Sequence, residues 1–294
     1  MVYKGSIVAL ITPFDDAGNV DFVAFRKLIH FHLKQETQGI VVCGTTGESV
    51  TLSEDEQFDL LKVALEEAQG KLPIIMGTGT NDTKVSISRT TKAKNMGADA
   101  CLVIVPYYNR PSFDGCFEHY SQIAQVGLPM IVYHNPGRTG VKLHAEQLAK
   151  ICNLEGVIGL KESSGDLNLV AEFIDICRTP VFSGDDALTI PMVALGAVGV
   201  ISVAANAIPA KFSEFVEYCL AGNFFKAREL FRQISPFCKS LFLDTNPQGI
   251  KYAVSLVVGC KYQVRLPLVK SSKEIQDTIK GSLSKCTSIE INTP

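Results

Sequence analysis

Lys161 ends the apolar run Val157-Ile-Gly-Leu160 and is followed within a few residues by Ser163-Ser-Gly-Asp166, a turn and helix-start cluster. An ammonium resists burial. An amine delivered by a buried strand is therefore partly desolvated and held nearer the neutral form that attacks a carbonyl. The competing reading is a strand-end lysine whose methylenes carry its charge out to solvent. Tyr133 closes a second apolar run and leads into His134-Asn-Pro-Gly-Arg-Thr-Gly140. It brings a phenol to the same place or lines the core with its hydroxyl satisfied. Arg138 in that loop is a solvated charge or a bidentate carboxylate clamp. Gly44-Thr-Thr-Gly47 follows a third run. Its glycines let N–H groups approach a small anion and Thr45 and Thr46 add hydroxyl donors, although an ordinary βα turn has the same composition. Tyr107 and Tyr108 follow a fourth run, and Ile201 and Ser202 end another.

These residues all follow short apolar segments, and the segments recur. Strands are predicted over 5–11, 40–42, 73–76, 101–105, 129–133, 156–161, 180–182 and 199–202. Amphipathic helices alternate with them. Asp21 caps the first, and Ser53 with Glu56 forms a capping box for the second. Gly39, Gly70, Gly97 and Gly127 close successive units. Eight strand–helix units predict an α/β chain of the (β/α)8 TIM-barrel type, in which residues just after the strands converge at one mouth. A doubly wound sheet is the rival. Its glycine-rich phosphate loop is missing, because Gly77-Thr-Gly79 lacks the third glycine. The barrel is read over 1–212 as the catalytic domain. Residues 213–294 are read as a helical appendix packed on it, because helical periodicity continues through Phe215, Tyr218, Leu230 and Ile234.

Composition narrows the function. The chain has 294 residues, 46% hydrophobic and 20% charged, which is enough for a large core. A formal net charge of -2 leaves no electrostatic footprint for nucleic acid. No apolar run reaches membrane-spanning length, and the first residues lead into a strand rather than a secretory leader, so a cytoplasmic protein is expected. The nine cysteines show no CxxC spacing and sit largely in apolar segments. They read as small buried hydrophobes in a reducing compartment. No His, Asp, Glu and Cys set has metal-ligand spacing. His30 and His32 are placed near the surface of the first helix.

Gly44-Thr-Thr-Gly-Glu-Ser49, Pro106-Tyr-Tyr-Asn-Arg-Pro111, Tyr133 with Asn135-Pro-Gly-Arg-Thr-Gly140, and Gly159-Leu-Lys161-Glu resemble the motifs of the dihydrodipicolinate synthase family. Ser183-Gly-Asp-Asp186 and Gly199-Val-Ile-Ser202 extend the resemblance across the chain. That family lies within the lysine-dependent class I aldolases, together with N-acetylneuraminate lyase. The resemblance implies condensation of pyruvate with L-aspartate-4-semialdehyde to 4-hydroxy-tetrahydrodipicolinate, in lysine and diaminopimelate synthesis. It implies a Schiff base between Lys161 and pyruvate, proton shuttling by Tyr133, and a relay through Thr45 and Tyr108. Tyr108 would act on a neighbouring subunit of a homotetramer built from two dimers. Thr46 and the backbone of Ile201 would hold the pyruvate carboxylate, and Arg138 that of the aldehyde. No metal or organic cofactor is implied. His134 finds no role in the resemblance. Gln57 and Val85 stand where lysine-inhibited relatives carry a histidine and a glutamate, so weak or absent inhibition by free lysine is expected. Two alternatives stay open: a sister aldolase acting on N-acetylneuraminate or a 2-keto-3-deoxy sugar acid, and a non-catalytic barrel that senses a keto acid. The second is disfavoured because binding alone needs no nucleophile.

Overall fold

The computed structural model describes residues 3–286. The last eight residues of the region read as 213–294, with Met1 and Val2, lie outside the described residues. Eight parallel strands close into a barrel in sequence order: β1 Gly5–Ala9, β2 Gly39–Val42, β3 Ile74–Gly77, β4 Ala100–Ile104, β5 Met130–His134, β6 Val157–Glu162, β7 Val181–Ser183 and β8 Gly199–Ser202. Between them run α1 Phe22–Leu33, α2 Glu54–Ala68, α3 Thr83–Met96, α4 Phe113–Ala124, the short α5 Pro136–Thr139, α6 Ala145–Cys152, α7 Leu167–Ile176 and α8 Thr189–Leu195. After β8 come α9 Pro209–Leu220, α10 Phe224–Ser240, α11 Gln248–Val258 and α12 Lys273–Ser284. The boundary read at residue 212 falls within α9, which packs against β1 and β8.

Strand alternation divides the core into two layers. One set of side chains, including Ile7, Val41, Ile75, Leu102, Ile131 and Ile201, fills the barrel. The other set lies between sheet and helices. Phe182, 1% exposed, fills the barrel where β6 has Gly159, and a methyl at Gly159 would come within 3.1 Å of Phe182 Cε2. Burying such a ring contributes about 1.5–3 kcal/mol. The helix starts follow their local chemistry. The Asp21 carboxylate accepts from Ala24 N–H, and Ser53 and Glu56 form the complete capping box.

Two local expectations are corrected. His32 is fully buried rather than superficial. It falls on the inward face of α1 one turn after Leu28, and its Nδ1 stands 2.9 Å from Thr37 Oγ1. Burial pulls its pKa down to about 3. The loop after β5 holds a short helix, because Asn135 Oδ1 accepts from Arg138 N–H and caps it. All nine cysteines are free thiols, eight of them buried. No helix among the described residues is long and apolar enough to cross a membrane.

Candidate active site

The register of β5 and β6 sets the centre of the site. Tyr133 pairs with Lys161 across the two strands, so both side chains point into the barrel at the same height. Lys161 is 6% exposed, and its Nζ lies 4.2 Å from the centroid of the Tyr133 ring. The amine thus lies over the ring face, largely shielded from solvent. Gly184 is required beside this amine. A Cβ there would meet Ser163 Oγ at 1.7 Å and Lys161 Cε at 3.0 Å.

Asn135 Nδ2 donates to the Tyr133 hydroxyl at 3.0 Å. Burial works against a phenolate, but the Lys161 ammonium, the Asn135 bond, Arg138 and Ser163 outweigh it. The Tyr133 hydroxyl is therefore more acidic than an ordinary phenol. Asn135 was not singled out in the sequence. Its signal was its place between a strand-end tyrosine and Pro136, where an asparagine caps a helix.

The loop after β2 folds on itself. The N–H groups of Gly47 and Glu48 donate to the carbonyls of Gly44 and Thr45, so these two amides are used inside the turn rather than presented to an anion. Thr45 is half-buried and lines a cavity of about 450 Å³ together with Tyr107, Tyr133 and Arg138. Thr46 is buried, and its Oγ1 accepts from Asn246 Nδ2 at 3.0 Å. The Arg138 guanidinium donates to the Asn246 carbonyl at 3.3 Å. One residue just ahead of α11 thus touches both the β2 loop and the arginine loop.

Glu48 follows in a left-handed conformation at φ 55°. Its buried carboxylate accepts from Lys251 Nζ at 2.5 Å and from Arg265 N–H at 3.0 Å. Lys251 is 1% exposed and stands 3.9 Å from the Phe14 ring centroid. Desolvation draws its pKa down to about 8 against the opposing pull of Glu48. Asn246, Lys251 and Arg265 were also missed in the sequence, since nothing local marks a partner 200 residues away.

Two strands on from β6, Ile201 is fully buried in β8. The Asp186 carboxylate accepts from the N–H groups of Val203 and Ala204 and so fixes the chain leaving that strand. Burial raises the Asp186 pKa to about 6. Tyr108 stands apart from the others. It is 89% exposed, with its backbone in the left-handed region at φ 72°, and it is not among the residues that line the cavity. Holding a tyrosine in that conformation costs about 1–3 kcal/mol. Among the described residues no group of three or more His, Cys, Asp or Glu side chains could hold a metal ion.

The arrangement is a buried amine beside an acidified phenol, with Thr45 and the Arg138 guanidinium lining the cavity next to that phenol and Thr46 buried behind it. Known proteins are similar to it in both fold and sequence. The family model described as the dihydrodipicolinate synthetase family matches residues 2–286. A 4-hydroxy-tetrahydrodipicolinate synthase of Protochlamydia amoebophila (strain UWE25) is 44% identical over 93% of this chain and 93% of that protein. The crystal structure of dihydrodipicolinate synthase from Aquifex aeolicus superposes with a TM-score of 0.96 at 40% identity, covering 99% of this chain and 100% of that one. A chloride-inhibited dihydrodipicolinate synthase from Acinetobacter baumannii, complexed with pyruvate, gives 0.95 at 36% identity over 97% and 99% of the two chains. With the family model matching residues 2–286 and relatives above 40% identity over more than nine-tenths of the chain, the chain belongs to the dihydrodipicolinate synthetase family.

Proposed function

We propose that this chain condenses pyruvate with L-aspartate-4-semialdehyde to 4-hydroxy-tetrahydrodipicolinate, with Lys161 as the imine-forming nucleophile. The observation that carries the reading is the buried Lys161 amine set 4.2 Å from the ring of Tyr133, whose hydroxyl is more acidic than usual. Lys161 Nζ attacks the ketone carbon of pyruvate, and the adduct loses water to an iminium. The iminium withdraws electrons, so the methyl group gives up a proton and becomes an enamine carbon. That carbon attacks the aldehyde, forming the carbon–carbon bond, and the resulting alkoxide takes a proton. The amine of the second substrate then adds to the iminium carbon. Ring closure breaks the bond to Lys161 and returns its amine.

A phenol of lowered pKa suits the proton transfers, since the best proton carrier titrates near the working pH. Tyr133 takes that role, with Thr45 and Tyr108 completing the relay. Thr46 and the Ile201 backbone hold the pyruvate carboxylate, and Arg138 holds that of the aldehyde. Tyr108 is exposed and does not line the cavity of its own chain, which supports a role in the site of a neighbouring subunit. The assembly we propose is a homotetramer of two dimers in the cytoplasm. The relative complexed with pyruvate supports the first substrate. The relatives named as 4-hydroxy-tetrahydrodipicolinate synthase support the second over the sugar acids of the sister aldolases. A coupled assay with pyruvate and aspartate-4-semialdehyde, run beside N-acetylneuraminate cleavage, tests the reading. Turnover with the first pair alone is expected, and cleavage of the sugar acid without it would refute the assignment.

A further inference from the structure

His134 and Glu162 stand one residue beyond Tyr133 and Lys161 on the same two strands and pair across the same register. Alternation turns them to the opposite face of the sheet, toward the helices, where they are 0% and 3% exposed. The imidazole Nδ1 lies 2.6 Å from Glu162 Oε2. The N–H of Leu143 donates to Nε2 at 3.2 Å. A backbone amide can only donate, so Nε2 is the bare nitrogen and Nδ1 carries the proton. His134 is therefore a neutral imidazole that donates to a carboxylate. The other Glu162 oxygen accepts from Ser164 N–H, just past Lys161. The His134 carbonyl accepts from Ser163 N–H at 2.9 Å.

One ring thus meets three parts of the site. It holds the end of β5, which carries Tyr133, and the end of β6, which carries Lys161. Through Leu143 it also holds the chain returning from the Arg138 loop. We propose that His134 is a positioning residue for the condensation: its Nδ1–H, through Glu162, fixes Lys161 against Tyr133, and its Nε2, through Leu143, fixes the loop that presents Arg138. The proposal rests on the reading of Lys161 as the imine-forming amine.

The two ring nitrogens can be tested apart in the full-length enzyme, because asparagine places an amide donor near Nδ1 and glutamine an acceptor near Nε2. His134→Gln keeps the bond from Leu143 and deprives Glu162 of its donor. Pyruvate trapping by borohydride is expected to persist while kcat falls on the order of a hundredfold, the size of a small misalignment of reacting groups. His134→Asn keeps the donor to Glu162 and releases Leu143. Its kcat should stay near wild type while KM for the aldehyde rises about tenfold, the size of one neutral hydrogen bond. Equal losses of trapping, kcat and KM in both variants would reduce the pair to a structural role, and no loss in either would remove it. If neither variant folds, Glu162→Gln decides: lowered kcat with trapping retained supports the role, and any other pattern overturns it. A wild-type enzyme that traps no pyruvate overturns the reading of Lys161 itself, and the positioning role with it.

Discussion

The seam between β5 and β6 is made by backbone register, whereas the seam between the β2 loop and the C-terminal helices is made by side chains. In the first, pairing of neighbouring parallel strands puts Tyr133 opposite Lys161, and His134 with Glu162 repeats the pairing on the outer face. In the second, Asn246 donates to Thr46, and Lys251 and Arg265 close on Glu48, each across about 200 residues of chain. Register fixes the spacing of Tyr133 and Lys161. The side-chain clamp fixes the loop that carries the threonines, and it depends on two buried charges meeting. Residues beyond the barrel strands thus hold the β2 loop in place.

Breaking the clamp should have the largest effect. Lys251→Met leaves the Glu48 carboxylate buried without its ammonium, which is expected to cost about 3–5 kcal/mol. Urea unfolding measures it, and adding Glu48→Gln should recover part of the loss. A cost under about 1 kcal/mol, the range of an exposed pair, would show that the clamp does not hold the loop.

Arg138 joins the two seams, since α5 follows β5 and its guanidinium reaches the Asn246 carbonyl. Arg138→Ala is expected to weaken use of the aldehyde by about 2–5 kcal/mol, the scale of a desolvated charge pair that loses a partner. Formation of the pyruvate imine should be nearly unaffected. Equal loss of trapping and turnover would move Arg138 away from the aldehyde.

The smallest effect concerns the side of the cavity lined by α3. Val85 lines it and offers neither charge nor acceptor, and the Gln57 amide donates to the carbonyls of Ser49 and Leu52. Asp82 is the carboxylate on that side, and with valine rather than glutamate at position 85 a cationic ligand has one fewer charge-assisted contact of about 1.5–3 kcal/mol, so free lysine should inhibit only weakly. Titration of initial rates at subsaturating pyruvate checks this, and half-inhibition at submillimolar lysine would contradict it.

The same contrast explains what could be read from the sequence. Strand ends, the Asp21 cap and the Ser53–Glu56 box are local, and so was the convergence of Lys161, Tyr133 and Thr45 once eight units were counted. β6 runs one residue further than read, because a glutamate after a lysine looks like the end of a strand until its partner His134 is known. His32 looked superficial by residue type, and only its place on the face of Leu28 marks it as buried. Asn246 carries no local signal, since its partner Thr46 lies far off in the chain. Lys251 is the exception in part. A lysine within Ile250-Lys-Tyr-Ala-Val254 is an expensive residue in an apolar helix and so a hint of a buried partner.

The central claim is that register delivers one nucleophilic amine to the mouth. Borohydride reduction of the enzyme with pyruvate, followed by peptide mapping, tests it most directly. The account predicts a single three-carbon adduct on the peptide containing Lys161, absent in Lys161→Met. An unlabelled wild-type chain, or the adduct on Lys251 or any other lysine, would contradict it.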